Sequence, residues 1–206
     1  MSYEVHVLSD GYSTESNGYF YANCTCSLLI GKHNIIVDTM NPWSKETIIN
    51  GLRKYGLSCD DVNYVVCTHG HSDHVGNNNL FLGAKQIVGY DISFENCFFS
   101  HDFKHGVPYV IDDEVYVMAT PGHTHADVSV VARTKAHGIV AVVGDLFERV
   151  EDIENPSLWR EIGGSEQPEL QETNRAKILK LADHIIPGHG PMFQVTKKMR
   201  ECCKST

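Results

Sequence analysis

THGHSDHVG, residues 68–76, sets His69, His71, Asp73 and His74 in the spacing H-x-H-x-D-H. At this chain's own His and Asp frequencies, such a match arises by chance on the order of a few times in a thousand chains of this length, so the pattern counts as a signal. It follows the apolar run Val65-Val66-Cys67, which reads as the end of a buried strand spanning Asp61 to Thr68. Two histidines at i and i+2 beyond a strand end point the same way, as two ligands of one metal ion do. Asp73 and His74 follow in a turn and face a second ion beside the first.

Working outward, three further ligand types stand just past apolar strands: His123 in ATPGHTHAD, Asp145 in VVGDLF and His189 in IIPGHGP. Strand ends that meet at one edge of a fold are a usual way to assemble a site from distant positions. Five histidines and two aspartates suffice for two divalent metal ions. Imidazole plus carboxylate without thiolate favours Zn²⁺, with Fe or Mn as alternatives. Taken singly, His123 and His189 read equally well as loop histidines, and Asp145 as a helix cap. Their weight comes from the 69–74 cluster.

The rest of the chain supplies the frame. Its 206 residues suit one domain, residues 1–206, with enough length for a full core. No apolar run reaches the length of a membrane span, and the N-terminus MSYEVHVLSDGYS lacks the features of a signal peptide. Seven cysteines, at 24, 26, 59, 67, 97, 202 and 203, form no staple pattern and read as reduced thiols. Together these features lead to an expected cytoplasmic (cytosolic) location, the nucleus being the alternative. The net charge of −9 excludes a generally basic, phosphate-coating surface.

Strands are expected at 3–9, 24–30, 35–38, 61–68, 86–89, 109–111, 114–120, 128–134, 138–145 and, as the last one, 184–187. Helices are expected from Pro42 to Gly56, over Leu170–Leu181 and over Val195–Cys203. Residues 10–22 read as a polar loop and residues 148–170 as acidic and irregular. Two similar halves, each a mostly antiparallel sheet with outer helices, suggest an α+β sandwich with the sheets inside.

THGHSDHVG, TPGHT, VVGD and PGHGP, in this order, resemble the metallo-β-lactamase superfamily over about residues 3–190. The resemblance implies a four-layer αββα sandwich and a hydrolase that uses a hydroxide bridging two metals. It implies that His69, His71 and His123 bind the first metal, that Asp73, His74 and His189 bind the second, and that Asp145 bridges both. Asp73 and Asp145 are the implied catalytic residues, Asp73 orienting the nucleophile. Asp38, in IIVDT, resembles the family's early motif, which braces the site; a plain turn aspartate is the other reading.

The phrases VVGDLFER and PWSKETI are similar to the glyoxalase-II-like branch. This finer likeness implies an endoribonuclease that cleaves phosphodiester bonds in histone pre-mRNA 3′-end processing. The alternatives are a small-molecule thioesterase or lactonase, and a mono-iron persulfide dioxygenase. Only 17 residues follow His189 and 43 separate it from Asp145, so neither a glutathione-binding helical domain nor an inserted clamp domain is expected. RNA or a small acyl substrate is the expected partner, with no membrane and with a homodimer as the expected assembly.

Candidate grips on RNA are Tyr12, Tyr19, Phe20 and Tyr21, at least two of which are expected in the core, and the basic Lys197, Lys198, Arg200 and Lys204. Against them stand nine acids and two bases in residues 145–172. His125 is a candidate leaving-group acid, or a solvated loop histidine. Trp159 reads either as interface or as core.

Overall fold

A computed structural model describes residues 2–202; Cys203 and Lys204 lie outside them, as does the side chain of Cys202. In chain order the elements are β1 (Glu4–Ser9), β2 (Tyr12–Ser16), β3 (Tyr19–Asn23), β4 (Cys26–Ile30), β5 (Asn34–Val37), α1 (Lys45–Arg53), β6 (Tyr64–Cys67) and α2 (Ser72–Val75). There follow β7 (Lys85–Val88), β8 (Asp91–Phe94), β9 (Cys97–Phe99), β10 (Tyr109–Asp112), β11 (Val115–Ala119), β12 (Val128–Thr134) and β13 (Gly138–Gly144). The chain closes with α3 (Pro168–Leu181), β14 (His184–Pro187), β15 (Phe193–Gln194) and α4 (Lys197–Cys202).

Seven strands form one sheet in the order β1-β4-β5-β6-β7-β8-β9, and six form a second in the order β10 to β15. Strands β5, β6 and β7 run parallel, as do β13 and β14.

Period-two alternation decides how the layers stack. Val37, Val66 and Ile87 of the first sheet pack against Val117, Val130 and Val142 of the second, forming the central core. Their neighbours in sequence face outward. Leu28, Ile36 and Val65 meet Ile48 and Leu52 of α1. Val131, Ala141 and Ile185 meet Ile178 and Leu179 of α3. Each fully buried aliphatic side chain contributes roughly 1.5–3 kcal/mol. The result is the expected α+β, four-layer αββα arrangement. No helix among the described residues is long and apolar enough to cross a membrane.

Several local expectations are corrected. Residues 10–22 are not a loop: β2 and β3 pair as a separate ribbon from Tyr12↔Asn23 to Ser16↔Tyr19. The turn is Asn17-Gly18, with φ of 53° and 76°, the left-handed pair that a two-residue hairpin requires. Tyr12, Tyr19, Phe20 and Tyr21 are all exposed, so none is a core anchor. β8 and β9 form a second hairpin where no strand was expected. A 3-10 turn at Cys59–Asp61 takes the start of the expected 61–68 strand. β15 follows the strand expected to be last. The 148–170 segment carries a 3-10 turn at Val150–Ile153 and a π turn at Leu158–Ile162, and Trp159 is buried.

That segment is tied down by a buried ion pair. Arg175 on α3 meets Asp152 through Nη2–Oδ1 at 2.6 Å and Nη1–Oδ2 at 3.0 Å, and Nη1 also donates to the Leu146 carbonyl at 2.7 Å. Asp152 Oδ2 accepts the Glu148 N–H at 2.8 Å. The residues that follow β13 are therefore held from α3. Arg175→Leu leaves the buried Asp152 without its counter-charge and should cost about 3–5 kcal/mol in chemical denaturation. Replacing Asp152 by Leu as well should recover part of that loss.

Candidate metal centre

The loops after β5, β6, β11, β13 and β14 converge at one edge of the sandwich. β5 and β6 are parallel; β11 runs parallel to β13 through the intervening β12, and β14 joins β13 in parallel. Their C-terminal ends therefore open on one side. Asp145 sits at the centre, buried at 5% exposure. Its Oδ2 lies 3.3 Å from His123 Nε2 and 3.7 Å from His69 Nε2. Its Oδ1 lies 3.2 Å from His74 Nε2 and 3.3 Å from His189 Nε2. His71 Nδ1 stands 3.1 Å from His123 Nε2. Asp73 Oδ2 stands 3.9 Å from His74 Nε2 and 3.8 Å from His189 Nε2. The other six residues singled out in the sequence thus gather around the Asp145 carboxylate. His71 is the exposed member, and Asp73 is only partly covered.

The donor set fits cations. Four ligands at about 2.1 Å from a tetrahedral ion stand roughly 3.4 Å apart, and the His71–His123–Asp145–His69 spacings of 3.1, 3.3 and 3.7 Å bracket that edge. His69 Nε2, His74 Nε2 and Asp145 Oδ1 are buried without a hydrogen-bond partner. Orphaned polar atoms in such a place cost about 1–3 kcal/mol each unless something fills the space between them.

The far nitrogens of His69, His74 and His189 are engaged. Asp38, held at φ 59° after β5, accepts the His74 Nδ1–H at 2.9 Å. It also accepts the Thr68 N–H at 2.7 Å and the Thr68 hydroxyl at 3.0 Å. With its proton given to Asp38, the Thr68 oxygen accepts from His69 Nδ1 at 3.1 Å. One carboxylate therefore sets the tautomers of two histidines, which favours the bracing reading of Asp38 over the turn reading. His189 Nδ1–H donates to the Tyr12 and Asn23 carbonyls at 3.2 and 3.1 Å. Each of these three rings turns its Nε2 inward, a ligand atom once any proton on it is displaced.

Thr68 was missed by the sequence reading; its signal is adjacency to His69. Asp127 was missed too. It shapes the His123 loop by accepting from the Gly122 and Thr124 N–H groups at 3.0 and 2.7 Å. Glu148, three residues beyond Asp145 and buried, is the third omission.

Electrostatics follow from burial and crowding. Burial lowers His69 well below the ordinary imidazole value, reinforced by charge on His74. Burial also lowers His123. His74 is raised well above it: burial opposes its charge, but the Asp145 and Asp38 carboxylates outweigh burial. At His189 burial is again overcome, chiefly by Asp145, and the ring is raised to about 9. Asp145 stays ionised, well below the usual carboxylate range, because His189 and His74 overcome its burial. Burial, then Asp145, pushes Glu148 up to about 8.

Other candidates lie elsewhere. His125 is exposed and paired with Glu166. Cys24 has its sulfur near Asp38 and His74, but burial raises its thiol well above the normal value, leaving it a neutral core group. The basic cluster is largely spent locally. Arg200 donates to the carbonyls of Leu179, Lys180 and Ala182 at the end of α3, and Lys198 pairs with Glu154 at 2.9 Å.

The metallo-beta-lactamase superfamily model matches residues 21–189, and the chain belongs to that family. The metallo-beta-lactamase domain-containing protein 1 of Xenopus laevis is 46% identical over 95% of this chain and 83% of its own length. The human protein of the same name is 42% identical over 80% of this chain, which spans 60% of that relative. Among solved structures, a putative metallo-beta-lactamase from Thermotoga maritima superposes with a TM-score of 0.70 at 21% identity, covering 94% of this chain and all of that one. An N-acyl homoserine lactone hydrolase, with its product bound at the catalytic metal centre, superposes with a TM-score of 0.62 at 18% identity over 92% of both chains. The structural likenesses establish the shared fold.

Cation uptake at His189 must displace its proton, because only the neutral ring is a ligand. With its free value raised to about 9, apparent metal affinity should rise from pH 7 towards pH 9, and the raised His74 acts in the same direction. Calorimetry at pH 7 in buffers of different ionisation enthalpy should show proton release on binding. Affinity independent of pH across that window would contradict the assignment.

Proposed function

We propose that the chain is a two-metal hydrolase. His69, His71 and His123 hold the first ion, Asp73, His74 and His189 hold the second, and Asp145 is shared. Zn²⁺ is the proposed occupant, with Fe or Mn as alternatives. The observation that carries this reading is the placement of Asp145: one oxygen faces His69 and His123, the other faces His74, and His189 Nε2 lies 3.3 Å from both. Two ions bound there supply Lewis acidity, lowering the pKa of water and polarising a carbonyl or phosphoryl oxygen.

The chain's own residues do the rest. Asp38 and Thr68 hold His74 and His69 in the tautomers that present Nε2. The backbone at Tyr12 and Asn23 does the same for His189. Asp73, partly open to solvent, is placed to accept a hydrogen bond from the attacking water and so orient it. Burial of His69, His74, His123, Asp145 and His189 keeps bulk water from competing for them.

For the substrate, we propose a single-stranded RNA phosphodiester, with endonucleolytic processing of histone pre-mRNA 3′ ends as the role. The support is the β2–β3 ribbon, whose base touches His189 and whose tip exposes Tyr19, Phe20 and Tyr21. Trp43, 89% exposed, adjoins it, because the turn before α1 is tied to the ribbon by Asn41 Nδ2 donating to the Ala22 carbonyl at 2.8 Å. Exposed rings stack on unpaired bases for about 1–3 kcal/mol each. A cytoplasmic or nuclear location and a homodimer belong to the same proposal.

The second reading is a lactone or thioester. It draws on the fold shared with the lactone hydrolase and on the net charge of −9, which disfavours a polyanion.

Elemental analysis coupled to cleavage of a defined RNA hairpin, run beside a panel of lactones and thioesters, separates these readings. Asp145→Ala should lose one or both ions and nearly all hydrolysis; full metal content with unchanged turnover would falsify the centre. Replacing both Phe20 and Tyr21 by Ala should raise KM for RNA about 10-fold or more while leaving small esters unaffected, in line with two lost stacking contacts. Turnover of lactones or thioesters with no cleavage of RNA would transfer the function to the acyl reading.

A further inference from the structure

Glu148 is a buried carboxyl that the centre described above does not use. It is 5% exposed, and its Oε1 has no hydrogen-bond partner. Its backbone is pinned on both sides. Its N–H donates to Asp152 at 2.8 Å, and its carbonyl accepts the His189 N–H at 2.8 Å. This places a Glu148 oxygen, an Asp145 oxygen and a His189 ring nitrogen within 4.8 Å of one another, all on buried residues.

The two neighbouring guanidinium groups are engaged elsewhere. Arg149 Nη1 donates to the Ser13 carbonyl at 2.9 Å, and Arg175 is taken by Asp152. A residue with a Cβ at Gly163 would meet Glu148 Oε1 at 2.3 Å, so the absent side chain there is what leaves room for the carboxyl. Glu148 also lines a cleft of about 230 Å³ between the β2–β3 ribbon and the Leu158–Ile162 turn.

A buried carboxyl with an unpartnered oxygen and no guanidinium or ammonium beside it is a costly arrangement that an adjacent metal ion relieves. We propose that Glu148 is a ligand of the ion held on the His189 side of the centre, joining Asp145 and His189 there. Adding a carboxylate hardens the donor set and extends it beyond four, which raises Mn²⁺ affinity at that position more than Zn²⁺ affinity. The inference rests on the two-metal reading above.

The test uses the full chain, freed of metal, as wild type, Glu148→Gln and Gly163→Ala. Mn²⁺ binding is followed by loss of the free-ion electron paramagnetic resonance signal, and Zn²⁺ binding by competition with a chromophoric chelator. Wild type should bind two ions. Glu148→Gln should keep one Mn²⁺ position and weaken the other at least about 10-fold, with a smaller change for Zn²⁺. The Co²⁺-loaded variant should show an altered visible absorption spectrum. Gly163→Ala, which displaces the carboxyl without removing it, should shift Mn²⁺ affinity in the same direction.

Thermal melting of the metal-free proteins supplies the control. Glu148→Gln should melt at or above wild type, because it removes an unpaired acid; a marked loss would assign Glu148 a structural role and overturn the proposal. Wild-type Mn²⁺ affinity in Glu148→Gln, or weakened affinity with an unchanged Co²⁺ spectrum, would also overturn it. A wild-type protein that binds no metal would instead sink the two-metal reading itself.

Discussion

The structure depends on a single buried carboxylate, Asp145, set among four imidazole Nε2 atoms at 3.2 to 3.7 Å. Lone pairs and partial charges crowded this closely repel one another unless protons or cations stand between them. Part of that compensation is visible in the protein alone. His74 and His189 favour their charged forms beside Asp145, while His69, buried among other rings, favours its neutral form. A pocket of such opposed tendencies is poised to exchange protons for metal ions.

Holding that arrangement is the work of a surrounding layer that never faces the pocket. Asp38 and Thr68 orient two histidines, two ribbon carbonyls orient a third, and Gln171 on α3 donates to the Asp145 carbonyl at 2.9 Å. Behind them stands the Arg175–Asp152 pair, which fixes the segment carrying both Asp145 and Glu148. The outer helices are thus mechanically part of the centre. The sandwich brings five strand ends to one edge, and the supports then lock the side chains that emerge there.

The same geometry separates what the centre does from what it acts on. Hydrolysis follows from the ligand set, whereas substrate choice falls to the rim: the aromatic β2–β3 ribbon, Trp43, and the acidic segment after Asp145. These features pull in opposite directions, the rings toward stacked bases and the acids away from a phosphate backbone. For the RNA substrate proposed above, a short or locally unpaired strand would reconcile them.

All seven ligand candidates were legible because H-x-H-x-D-H is a local pattern and the other three follow recognisable strand ends. The layered fold was legible for a related reason: near-continuous apolar runs such as Val128–Thr134 and Gly138–Gly144 mark strands covered on both faces. The β2–β3 ribbon was misread because its polar composition outweighed the Asn17-Gly18 turn signal. Thr68, Asp127 and Glu148 stayed hidden because nothing local marks a residue whose importance is its distance from groups far along the chain. Donor chemistry and strand periodicity are written residue by residue, and those the sequence determined. Which oxygen of Asp145 faces which histidine, and that Glu148 lies buried without a partner, arise only when segments dozens of residues apart are packed together, and those the tertiary structure decided.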